Sequence, residues 1–276
     1  IFSLLYKKAF KCRLRDDPMN EAKSSCQRLS GSTLKWIACI SMLIDHTAFL
    51  LIGYGVLNTV SPGTPAYHMW IQLYYIMRSI GRIAFPIYVF LLTEGIVHTK
   101  SWTRYGIRLG IFAVLSELPF DWMCVDQSSI WEDQNVFFTL LIGLLTIKTA
   151  EFMCSKAEKA NESIRILLWL AAAAIGSIIA ELMRTDYGYI GVILAVLLYL
   201  SRKDRKKQCI LGFLWKSCHL GRISFLLGIA AAFLLIYAYS GKKGSSAGKY
   251  LYYGFYPAHI LLLCILYQIL FAGHFL

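Results

Sequence analysis

Asp45 and His46 stand side by side near the middle of an unbroken apolar run, Leu34–Leu57. Ionisable groups are expensive inside a bilayer and usually mark function. An imidazole there suits proton transfer as a general base, or transient carriage of an acyl group. Lys35 precedes His46 by eleven residues. At about 100° per residue, this spacing returns to nearly the same helix face about 16 Å away. A long anionic ligand could rest its charged end on Lys35 and reach His46 with its other end. Asp45 points about 100° away from His46 on a helix and need not be its orienting partner. The plainer role for His46 is a buried hydrogen bond between helices.

The second apolar run, Gln72–Val97, holds Arg78, Arg82 and Glu94. Arg78 and Arg82 share a face, and guanidinium suits phosphate or carboxylate. An ion pair with Asp45 is the competing structural role. Glu94 lies one turn before His98, and Pro86 predicts a bend after Arg82. Arg104 and Arg108 share a face where the third run, Tyr105–Met123, begins. Glu117 and Asp121 share one near its far end, where two carboxylates could bind or deprotonate an acceptor. Asn135 and Thr139 open the fourth run and could join that site. Asp186 precedes a later run and reads first as a helix N-cap, second as part of the acceptor site. The segment Gly241–His259 sets three lysines and five aromatics before the last run. It reads either as an aromatic belt with a flexible loop or as an anion site. Tyr256 and His259 lie at its end, with His259 a second candidate for catalysis.

Helices must position all of these groups. Of the 276 residues, 57% are hydrophobic and only 16% charged, against about 25% in soluble domains. The apolar residues fall in blocks of about 20, the length that crosses a hydrocarbon core. Further blocks cover 136–154, 164–183, 187–200, 223–239 and 255–271. The fold class is therefore all-α, a polytopic membrane helical bundle with about eight transmembrane helices. The stretch Cys209–Leu220 is apolar but too short to span alone. Residues 1–33 read as a basic cytoplasmic segment and 34–276 as the membrane domain. Met19 reads as a start site, which would leave residues 1–18 outside the native chain.

The net charge of +12 sits in short loops. That pattern sets orientation and attracts anionic lipid, so no nucleic-acid partner is implied. Basic clusters at the N-terminus, around Lys100 and Arg104, around Lys156 and Lys159, and at Arg202–Lys207 predict both termini in the cytoplasm. Lys242, Lys243 and Lys249 disagree with that count, unless Cys209–Leu220 re-enters and the count is off by one. The loop 124–135 has carboxylates and no Lys or Arg. The eight cysteines form no C-x-x-C pair, so neither a disulfide framework nor a metal site is expected. The sequon Asn161-Glu162-Ser163 falls in a loop read as cytoplasmic, where glycosylation is not expected. There is no Walker loop, nucleophile elbow or dinucleotide fingerprint. An internal repeat, common in transporters, is missing too.

Six blocks together carry a family resemblance: LKWIACISMLIDH (Leu34–His46), IGRIAFPIYVFLLTEG (Ile80–Gly95), SELPFDW (Ser116–Trp122), QNVFFTLLIGLL (Gln134–Leu145), DYGYIGV (Asp186–Val192) and GKYLYYGFYPAHILLL (Gly248–Leu263). In this order they resemble the TraX family, from about Leu29 onward. The resemblance implies acetylation of pilin N-termini in the membrane. It also implies kinship with wider membrane acyltransferases that carry a basic residue, ten spacers and a catalytic histidine, a spacing matched by Lys35 and His46. The implied donor is acetyl-CoA, and the implied acceptor a pilin or a cell-envelope glycan. His46, Asp45, Arg82 and Glu94 become catalytic candidates on this view. Lys35, Arg78, Arg104 and Arg108 would hold the cofactor. Glu117, Asp121, Asn135, Asp186, Tyr256 and His259 would bind the acceptor. The competing classes are a proton-coupled transporter and a non-catalytic membrane subunit of a conjugation or secretion system.

Overall fold

The computed structural model describes residues 28–124, 132–157, 160–245 and 249–271. The basic residues 1–27, Lys159 and most of the acidic loop lie outside them, as does the Met19 start. Among the described residues the chain is helical, with two isolated β-bridges and no strand.

The helices begin where polar side chains accept the first free backbone N–H groups. α1 (Gly31–Thr47) is capped by Ser30, which accepts from the N–H of Thr33 at 3.2 Å. α1 continues as a π-helical stretch, Ala48–Val56, and a closing turn to Thr59. α2 (Pro65–Gly81) starts at Thr64, with Pro65 in the first turn, where its missing N–H is not needed. α3 (Ala84–His98) follows after a break at Arg82 and Ile83, so the chain parts before Pro86. α4 (Trp102–Met123), α5 (Val136–Lys156) and α6 (Glu162–Leu182) come next. Asn135 and Asn161 cap α5 and α6. The sequon asparagine is thus a helix cap. α7 (Gly188–Leu200), α8 (Arg205–Ser217), a short 3-10 turn, α9 (Leu226–Tyr237) and α10 (Lys249–Phe271) complete the chain.

Five segments are long and apolar enough to cross a membrane: Gly31–Thr59, Pro65–His98, Val136–Lys156, Glu162–Leu182 and Leu251–Phe271. Two shorter apolar helices, Gly188–Leu200 and Ile223–Tyr237, accompany them, as does the more charged α4. Many of their Leu and Ile side chains are exposed, Leu167 at 63% and Ile269 at 73% among them. Such faces need lipid rather than water as solvent. The chain is a multi-pass helical membrane protein.

It divides into two units. Unit 1 contains residues 89–111 and 133–218, and α5, α6 and α7 pack together within it. There α8 runs back along α7: the Trp215 indole N–H donates to the Ile190 carbonyl at 3.0 Å, and Lys216 lies over the Tyr187 ring. The apolar stretch after Cys209 therefore belongs to a helix as long as α7 itself.

Unit 2 contains residues 29–88, 112–132 and 219–276. Here the end of α9 is tied to the start of α1. The Leu29 N–H donates to the Ala238 carbonyl, Ser240 N–H to Leu29, and Gly31 N–H to Lys242, at 2.8–3.0 Å. Lys242 and Lys243 thus sit at the same end of unit 2 as Lys35. α10 runs parallel to α1: Tyr252 meets Trp36, His259 meets His46, and Phe271 lies against Gly55. A chain crossing with both helices begins α1 and ends α10 on opposite faces.

Candidate active site

The site of unit 2 is built on α1, α2 and α10. His46 is in the last α-helical turn of α1, just before the backbone widens into the π-helical stretch. Such widenings are frequent at functional sites. His46 Nδ1 lies 2.7 Å from His259 Nε2. The two rings are 4° from parallel with centroids 5.0 Å apart. That separation is close to the N–N distance plus two ring radii. The rings therefore meet edge to edge in one plane, as an N–H···N bond requires, and are not stacked. His259 is 4% exposed, and its Nδ1 lies 2.7 Å from the Phe255 carbonyl oxygen. Buried Tyr256 meets both rings edge-on.

Asp45 does not orient His46. It takes Arg78 of α2 and Arg82 just after it: Arg78 Nη1 donates to Oδ2 at 2.6 Å, and Arg82 Nη2 donates to Oδ1 at 3.1 Å. The guanidiniums are backed by aromatic faces, Arg78 on Phe49 at 5.3 Å and Arg82 on Phe225 at 5.0 Å. Two guanidiniums thus share one carboxylate, one residue from His46. The close approach needs Gly81, where any Cβ would overlap the Asp45 carboxylate. The break after α2 also leaves the Ile80 carbonyl accessible, and the Ser41 hydroxyl donates to it at 3.0 Å.

On the other side of His46, Lys35 lies over the Tyr252 ring at 5.1 Å. Between Lys35 and His46 the same face of α1 presents Cys39 and Met42, both buried. The Cys39 thiol is 3.2 Å from the Tyr88 hydroxyl. In this unit α4 contributes Glu117, 1% exposed, and half-buried Asp121 one turn later. Between them the Pro119 carbonyl accepts from the Cys264 thiol of α10 at 3.9 Å.

The remaining candidates belong to unit 1. Glu94 is paired with Arg205 at 3.6 Å and lies 3.8 Å from His98; Arg205 in turn covers the Phe90 ring. Exposed Arg104 and half-buried Arg108 are on the first turns of α4, with Arg108 over Tyr105. Asn135, fully buried, caps α5 through the Phe137 N–H at 3.0 Å. Thr139 accepts from the Tyr187 N–H at 3.4 Å. Asp186 is exposed and does not cap α7; Glu181 of α6 does so, accepting from the Tyr189 N–H at 2.8 Å. Gly188, at φ +45°, explains the change, because its left-handed backbone turns α7 back against Glu181.

Among the described residues no three His, Cys, Asp or Glu side chains converge as metal ligands. Of the eight cysteines, Cys39, Cys124, Cys154, Cys209, Cys218 and Cys264 are described, and none of these forms a disulfide.

Residues 30–267 match the family described as TraX protein. The chain belongs to the TraX family. The match takes in α1 through most of α10, and with them every residue of the site. A relative in Dichelobacter nodosus bears the name probable fimbrial assembly protein FimC, serogroup H1. It is 29% identical over 257 residues, 85% of this chain and 94% of the relative. No solved structure matches.

Reasoning from sequence missed the partner of His46, which lies 213 positions away. It also missed Gly81, Ser41 and Tyr88. Only the presence of a second histidine inside an apolar run hinted at the pair.

Proposed function

We propose that this TraX protein is a membrane-embedded acyltransferase that transfers the acetyl group of acetyl-CoA to an extracytoplasmic acceptor. The observation that carries the reading is the buried His46–His259 pair, with His46 on the same helix face as Lys35 and next to the Arg78–Asp45–Arg82 cluster. The start of α1 faces the cytosol, with Lys35, Lys242 and Lys243 around the phosphates of the donor. The pantetheine arm follows the face of α1 past Cys39 and Met42. Acetyl-CoA supplies the activated thioester. His46 takes a proton from the acceptor amine or hydroxyl as the new C–N or C–O bond forms. The negative charge that develops on the carbonyl oxygen is stabilised by the Arg78–Arg82 cluster. The C–S bond then breaks, and the proton on His46 passes to the departing thiolate.

The acceptor we favour is the N-terminal amine of a pilin or fimbrial subunit, supported by the name of the relative. An envelope glycan would use the same chemistry. The carboxylates Glu117 and Asp121 suit an ammonium group waiting to be deprotonated. Calorimetry with acetyl-CoA on protein in nanodiscs tests the donor site. Saturable binding, weakened about tenfold in Lys35→Ala, fits the reading, since one charge-assisted contact contributes about 1.5 kcal/mol. Absence of binding at millimolar donor by correctly folded protein would refute it.

A further inference from the structure

We infer that His259 is a positioning residue that fixes His46 in the tautomer whose Nε2 carries the reactive lone pair; this rests on the acyltransferase reading for its role, but not for its geometry. A backbone carbonyl can only accept a hydrogen bond. The Phe255 oxygen lies 2.7 Å from His259 Nδ1, so Nδ1 holds the proton. A neutral imidazole has one N–H and one acceptor nitrogen. His259 Nε2 is then the acceptor, and it faces His46 Nδ1 at 2.7 Å in the plane of both rings. His46 Nδ1 must be the donor, which leaves Nε2 of His46 to take the substrate proton.

The neighbours hold this chain of bonds in register. Phe255 stacks on the His259 ring at 4.9 Å and 17°, and Tyr256 closes its edge. His259 sits four residues after Phe255 on α10, so the helix itself sets the first bond. The second bond depends on α10 running parallel to α1. The other charged groups facing the pair are Asp45, Arg78 and Arg82, which are occupied with each other. When His46 Nε2 accepts the acceptor's proton, the ring becomes an imidazolium. Its Nδ1–H bond to His259 then becomes charge-assisted and strengthens. His259 thus gives more to the transition state than to the ground state. It does so without touching either substrate.

The wild-type protein, labelled with 15N-histidine in nanodiscs, tests this without any mutation. The inference requires His46 to show a protonated Nδ1 and an unprotonated Nε2 near neutral pH. A protonated Nε2 on His46 would overturn it. Two variants then test the role. His259→Phe keeps a ring in the same packing but removes the acceptor. His259→Gln offers its amide oxygen near the position of Nε2. His259→Phe is expected to lower kcat about 100-fold, within the range of general acid–base assistance, with KM changed less than about threefold. His259→Gln should restore kcat to within about tenfold of wild type, since an acceptor is again present. Equal losses in both variants, with both folded, would show a merely structural histidine. The expected tautomer in a protein that never transfers acetyl groups would sink the acyltransferase reading and leave the His46 assignment standing.

Discussion

At the scale of single residues, the site turns on which charges were left for chemistry after the ion pairs formed. Asp45, a catalytic candidate on the family resemblance, is the counterion of Arg78 and Arg82, the ion pair that the sequence offered as the competing role. That role predicts a specific failure. Asp45→Asn takes the shared carboxylate away from two half-buried guanidiniums. Removing one partner of a buried pair costs about 3–5 kcal/mol. Thermal unfolding in detergent should show a clear loss of Tm, whereas His46→Gln, which exchanges one polar group for another, should unfold near the wild-type temperature. A Tm for Asp45→Asn equal to wild type would mean that the pair contributes nothing. His46 and Lys35 were legible because an eleven-residue spacing on one helix is a local property. His259 was legible only as a candidate, because its value comes from a contact between distant helices. No spacing rule reports such a contact.

Elements decide whether those residues meet. The break between α2 and α3 and the missing side chain at Gly81 bring α2 close enough for both arginines to reach α1. Gly81→Ala should therefore act like a charge mutation although no charge changes. We expect lost activity and a lower Tm, which a thermal-shift assay reads directly; full activity in Gly81→Ala would contradict the packing described. A similar approach occurs at Gly228 of α9, whose place against the Ser79 carbonyl leaves no room for a Cβ. In unit 1 the cap of α7 comes from Glu181 rather than Asp186. Glu181→Ala should cost about 1 kcal/mol, as loss of a cap does, and Asp186→Ala much less. Apolar blocks revealed the helices well, because crossing lipid demands length and hydrophobicity that composition records. Helix ends were less legible. A glycine at positive φ moved the cap of α7 from Asp186 to Glu181, since the cap depends on where the chain goes next.

At the scale of the whole molecule, the class of fold was readable from composition. Loop charges gave a count that Lys242 and Lys243 did not fit. The reason is physical: α8 is only 13 residues long, and a charge-rich first turn hides its apolar part from a window suited to longer spans. The pairing of Leu29 with Tyr239, and the parallel course of α1 and α10, put the start of α1 and the end of α10 at opposite ends of unit 2. Single cysteines replacing Ser30, Lys243 and Gln268, in a cysteine-free background, test this with an impermeant thiol reagent on intact cells and on inverted vesicles. Ser30→Cys and Lys243→Cys should label from one side, and Gln268→Cys from the other. Labelling of all three from the same side would refute the arrangement.

The central claim is that this chain moves an acetyl group with His46. Its most direct measurement is transfer itself. Purified protein in nanodiscs receives acetyl-CoA and a synthetic peptide bearing a fimbrial subunit's N-terminus, and both CoA release and acetylated peptide are followed by mass spectrometry. The account predicts one CoA released per acetylated N-terminus in the wild type, and loss of both in His46→Gln that remains folded. Equal transfer by wild type and His46→Gln, or none by a folded wild type that binds the donor and is offered amine and hydroxyl acceptors, would contradict it.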